Sequence, residues 1–111
     1  MSQKILKRID RNAIAPQSQH KVYFGPFQFE IDLDLAKSEI ELKCKFLNMM
    51  TFDCKLDKDE VDFQRTVNFI IFNCLFECEA DHKKEYELRC TITPCFFKVL
   101  CKKIDLILIK W

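Results

Sequence analysis

The chain reads as all-β, a seven-stranded antiparallel β-sandwich, on three observations. Apolar and charged residues alternate with period two through most of the segment after Phe27, and polar turn clusters recur about every 8–12 residues. A hydrophobic content of 49%, with 11 Phe, supplies the core for one domain within the 111 residues. The single Gly is unusual for such a protein, because tight hairpin turns favour it. Turns are therefore expected at Asp, Asn and Lys clusters: AKSE at 36–39, DKDE at 57–60 and EADHKKE at 79–85.

Residues 1–19 interleave Lys4, Lys7, Arg8 and Arg11 with Ile5, Leu6 and Ile9, which suits a flexible basic arm or a short amphipathic helix ahead of a domain spanning 20–111. From Phe27 the alternation is regular. Phe29, Ile31, Leu33 and Leu35 share one face, and Ile40, Leu42, Cys44 and Phe46 share one face of the next strand. Pairing Leu35 with Ile40 across AKSE sets Leu33 against Leu42, Ile31 against Cys44 and Phe29 against Phe46. It also sets Asp32 against Lys43 and Glu30 against Lys45 outside. The acidic stripe of Glu30, Asp32 and Asp34 thus reads as a solvated ladder rather than a carboxylate catalytic site.

TFDCKL and VDFQ flank DKDE as a hairpin, with a helix starting at Asp57 as the competing reading. VNFIIFNCLFECE is apolar on both faces from Phe69 to Phe76, which suits a strand inside a sheet covered on both sides. YELRCTITP alternates again, with Tyr86, Leu88, Cys90 and Ile92 inward, and Pro94 marks a corner. In the closing run Ile104, Leu106 and Leu108 keep the pattern while Ile107 and Ile109 make the opposite face apolar. That second face must be covered, either by the N-terminal segment or by a partner.

Composition removes several functions. The 18 basic and 17 acidic residues leave a net charge of +1, so nucleic acid is not an expected partner. No apolar run approaches the roughly 18–20 residues that cross a bilayer, and the first residues lack a secretory h-region, so no membrane partner and a cytoplasmic or nuclear location are expected. Seven cysteines, an odd number, then read as reduced thiols.

Cys74, Cys78 and His82 follow i, i+4, i+8, a metal-ligand spacing on a helix. On a strand, residues four apart lie about 13 Å from one another, beyond one ion's reach. Cys90, Cys95 and Cys101, with His20 or His82 as base, carry no local signature of a thiol nucleophile. Phe96, Phe97, Lys98, Lys102 and Lys103 could stack and pair with single-stranded nucleic acid, but core packing is the commoner fate of Phe. Gly25 alone cannot form a phosphate loop. No catalytic residue, metal or cofactor is expected.

The stretch from Tyr86 to Trp111 resembles the end of the CS (CHORD-and-Sgt) domain, related to the small co-chaperones of the ninety-kilodalton heat-shock protein. The resemblance lies in Tyr86 to Ile92, the Ile92-Thr93-Pro94 corner, Lys98-Val99-Leu100, Lys103-Ile104-Asp105-Leu106 and Trp111. Phe27-Gln28 and Phe72-Asn73-Cys74-Leu75 are similar to earlier strands of that family, which carries charged residues where this chain has Ile107 and Ile109. The resemblance implies a CS or small-heat-shock-like sandwich without catalytic activity. Such a module acts as a co-chaperone-like adaptor, binding a heat-shock chaperone or another protein, or a second copy of itself, through a sheet face and the last strand. Lys103, Ile107, Ile109, Lys110 and Trp111 are then the candidate contact residues. The alternative is a small β-barrel enclosing an apolar ligand, suggested by the Phe content.

Overall fold

A computed structural model describes residues 4–10, 15–97 and 99–111. Four strands form one sheet as a simple meander: β2 (Gln17–Phe24), β3 (Phe27–Asp34), β4 (Glu39–Phe46) and β5 (Met49–Leu56). The other sheet holds β1 (Lys4–Ile5), β6 (Asp62–Asn68), β7 (Phe72–Asp81), β8 (Glu87–Phe96), β9 (Leu100–Cys101) and β10 (Ile104–Lys110). Its order is β1-β10-β8-β7-β6, with β9 paired to the end of β8. The all-β class stands, with ten strands among the described residues where the sequence predicts seven. The uncounted strands include β2 and the two-residue β1 and β9.

The two sheets bury one continuous core. Phe76 on β7 meets Phe27 on β3 at 5.8 Å and Phe52 on β5 at 5.0 Å between ring centroids, and Phe52 meets Phe63 on β6 at 5.2 Å. Phe29, Phe52 and Phe76 are fully buried, as are Ile31, Leu42 and Leu88. Each such side chain contributes about 1.5–3 kcal/mol by leaving water. These side chains fill the centre, which is the space an enclosed ligand would need.

One register and one connection differ from expectation. Between β3 and β4, Leu33 pairs with Ile40, Ile31 with Leu42, Phe29 with Cys44 and Phe27 with Phe46, a slip of two residues from the predicted pairing. A slip of two preserves which face each side chain takes, so burial does not distinguish the registers. The outer pairs change: Asp32 opposes Glu41, and Glu30 opposes Lys43. The segment 57–60 is not a hairpin loop, because β5 and β6 lie in different sheets. Asp57 Oδ1 accepts from the backbone N–H groups of Asp59 and Glu60 at 2.8 and 2.7 Å, forming a side-chain-closed turn that carries the chain from one sheet to the other. No helix begins there.

Turns manage with few glycines by placing other residues at positive φ. Leu47 and Asn48, at φ 49° and 67°, form the two-residue link between β4 and β5, and Gly25 at φ 56° precedes Pro26 between β2 and β3. Phe97, at φ 55°, turns the chain after β8. Pro94 lies within β8, opposite Cys74, rather than at the corner.

The last strand explains its own excess of apolar residues. A register shift between Ile107 and Ile109 sets Leu106 against Cys90 and Ile109 against Leu88, two core-facing partners, although Leu106 and Ile109 are three positions apart. One extra residue changes the parity of the strand. Leu106, Leu108 and Ile109 therefore all belong to the core, and Ile107 alone turns to the outer face opposite Arg89. Beside Ile107 runs β1, parallel to β10, with the Leu6 N–H donating to the Ile107 carbonyl at 2.9 Å. The described part of the N-terminal segment is thus a strand and an extended run against β10, and Gln17 to Gln19 already belong to β2.

Candidate interaction surfaces

The five predicted contact residues come to very different places. Ile107, Ile109 and Trp111 are 7%, 0% and 8% exposed, covered by the chain itself. The Trp111 backbone N–H donates to the Tyr86 carbonyl at 2.8 Å, and its ring lies 5.4 Å from that of His82. Lys110 is half-buried, with its ammonium 3.3 Å from Glu85 and 3.5 Å from Glu87. Glu87 is buried and also faces Arg89 at 3.4 Å, so Lys110 and Arg89 together neutralise a carboxylate removed from water. Lys103 alone of the five is exposed. The covering of the last strand is intramolecular, the first of the two options that the sequence leaves open.

The outer face of the six-stranded sheet carries a polar groove of about 390 Å³. The pairings build it row by row: Asp62, Glu79 and Arg89 across β6, β7 and β8, and Gln64, Glu77, Thr91 and Asp105 across β6, β7, β8 and β10. Arg89 reaches Glu79 at 3.4 Å, and the Thr91 hydroxyl donates to Asp105 at 2.9 Å. Four carboxylates against one guanidinium leave this face acidic. Along one side runs β6, the end strand of its sheet, seven residues without proline or lysine. An end strand keeps a row of backbone donors and acceptors unpaired.

The cysteines divide into two groups. Cys95 and Cys101 oppose one another across β8 and β9 and form a disulfide, Cα to Cα 4.0 Å, which departs from the expectation of reduced thiols. The other five are free. Burial pushes Cys44 and Cys54 up to about 12 and Cys74 up to about 11. Cys78 is raised as well, by its hydrogen bond to Cys90 at 3.1 Å and by burial. Such thiols stay protonated near neutrality and make poor nucleophiles. Cys74 and Cys78 both point inward from β7, and no group of three or more metal-ligating side chains converges among the described residues.

No protein-family model, curated protein or solved structure matches this chain. Its surfaces therefore have to be read from their own chemistry.

One end of the molecule is apolar, a feature that periodicity alone conceals. The β2–β3, β4–β5, β6–β7 and β8–β9 connections meet there, joined by a chain of rings: Phe27 to Phe46 at 5.1 Å, Phe46 to Phe69 at 4.7 Å, Phe69 to Phe72 at 4.7 Å and Phe72 to Phe96 at 5.2 Å. Beyond these rings Leu47, Met49, Ile70, Ile71, Phe97 and Val99 are exposed, Ile70 fully so. The run from Phe69 to Phe76 is thus a hairpin tip followed by a strand, not one strand buried on both faces. Between the β6–β7 and β8–β9 tips lies a concavity of about 440 Å³.

Proposed function

We propose that this chain is a non-enzymatic protein-interaction module, an adaptor of CS type, that receives a basic segment of a protein partner on the outer face of its six-stranded sheet. The observation that carries the reading is the coincidence of an acidic groove with an open end strand. Asp62, Glu77, Glu79 and Asp105 provide charge complementarity, and β6 offers backbone groups on which an extended segment could pair. This moves the contact from the outer edge of the last strand, which β1 already flanks, to the sheet face and its other edge, with Asp105 the one contribution of the last strand. The likeness of Tyr86 to Trp111 to the CS domain supports a heat-shock chaperone as the partner, with self-association as the other outcome of the test.

Glu77→Lys combined with Glu79→Lys tests the reading, since both side chains are exposed and the fold should tolerate them. Calorimetric titration with a purified chaperone of the ninety-kilodalton class should show binding by the wild type and a loss of about tenfold or more in the double variant. Indistinguishable affinities for the two proteins would remove the acidic face from consideration. Light scattering on both proteins reports self-association.

A further inference from the structure

We infer that the apolar end of the molecule docks on an anionic lipid surface, with its loop tips entering the boundary between headgroups and acyl chains. This goes beyond the adaptor reading and uses a different surface, so either can fail alone.

The inference starts from the way apolar exposure is distributed. Single exposed hydrophobic side chains are ordinary, but here they gather on connections that meet at one end. They project from turns rather than lining a flat face. Ile70 and Ile71 crown one hairpin, Leu47 and Met49 a second, and Phe97 and Val99 a third. Separate protruding tips suit a fluid medium that closes around each of them, whereas a folded partner would have to match all three in shape.

Charge selects the kind of surface. The segments 23–27, 46–50 and 68–72 at this end, together with Phe96, Phe97 and Val99 to Cys101, contain no Asp or Glu. Lys102 and Lys103 stand exposed directly after β9, where the Lys102 backbone N–H donates to the Pro94 carbonyl at 3.1 Å. The opposite end carries both signs, with Asp57, Asp59, Glu60, Asp81 and Glu85 interleaved with Lys37, Lys58, Lys83 and Lys84. An end with lysines and no carboxylate is attracted to a negative surface even though the net charge is only +1, whereas at the opposite end the two signs offset one another. Insertion of apolar side chains combined with attraction to anionic headgroups is how peripheral proteins hold a bilayer without crossing it. No described helix is long and apolar enough to cross a membrane, and docking by loop tips requires none.

Vesicle sedimentation tests the inference, using phosphatidylcholine alone and phosphatidylcholine with about a third phosphatidylserine. The wild type should sediment with the mixed vesicles, less at raised ionic strength, and only weakly with phosphatidylcholine alone. Ile70→Asp with Phe97→Asp should abolish sedimentation, and Lys102→Gln with Lys103→Gln should weaken it roughly thirtyfold. All four side chains are exposed, so an unchanged thermal midpoint verifies that each variant is folded. Failure of the wild type to sediment with the mixed vesicles would overturn the inference, as would equal binding by the folded Ile70→Asp, Phe97→Asp variant. A wild-type dimer that Phe97→Asp splits would also overturn it, because a second copy would then cover this end.

Discussion

Ile107 and Ile109 are two positions apart, yet the register shift between them gives them opposite surroundings. Ile109 lies in the core against Leu88, whereas Ile107 lies on the outer face beside β1. A lysine at 109 would place an ammonium among fully buried apolar side chains, whereas one at 107 can extend its amine past the arm to water. Ile109→Lys should therefore cost about 3–5 kcal/mol or prevent folding, and Ile107→Lys about 1–2 kcal/mol. Urea denaturation of the two variants checks this. Equal losses would mean that the parity change in β10 is absent in solution. The same contrast explains why the sequence places its contact residues on the last strand: strict alternation assigns Ile107 and Ile109 to one face, and a bulge leaves no trace in the hydrophobic pattern.

At the scale of elements, β1 and the extended run after it close the outer edge of β10. Ile9 N–H donates to the Lys110 carbonyl at 2.8 Å and Lys110 N–H to the Lys7 carbonyl at 2.9 Å, while Leu6 and Ile9 pack on the core. Removing residues 1–10 should lower stability by about 2–3 kcal/mol, from two half-buried aliphatic side chains and the cover over Ile107. It should also expose β10 as a pairing edge and promote association. Denaturation midpoints and light scattering would register both effects, and an unchanged midpoint with unchanged mass would contradict the account. This strand was hidden in the sequence, where Ile5, Leu6 and Ile9 suit an amphipathic helix equally well. β3, β4 and β8 were legible because one face of each is charged and the other apolar. β2 was not, since its inward positions include Ser18 and His20, both half-buried. Alternation also cannot tell whether neighbouring strands share a sheet, so β5 and β6 read as a hairpin. The apolar end was visible as a two-faced hydrophobic run, but a buried strand and a hairpin tip have the same composition.

For the whole molecule, pH separates contributions that the net charge obscures. His20 is held below the ordinary histidine value of 6.5 by burial and then by Lys7; its Oγ partner Ser18 lies 2.8 Å from Nε2, and Nδ1 has no partner among the described residues. His82, against Trp111, is likewise lowered by burial, with Asp81 opposing the shift, and its Nε2 has no partner among the described residues. Both rings therefore bind a proton more readily in the unfolded chain. The stability that they confer is complete above pH 6.5 and declines as pH falls below it toward their folded values. Asp57 and Asp81 do not blur this window, because backbone hydrogen bonds hold both below the usual carboxylate range. The urea midpoint should accordingly be lower at a pH one unit below 6.5 than at one unit above, and His20→Gln with His82→Gln should flatten that difference. A wild-type midpoint that is constant or rises on acidification would show that neither ring is buried in its neutral form. Because His20 lies on β2 of the four-stranded sheet and His82 just beyond β7 of the six-stranded one, the single variants would report the two sheets separately.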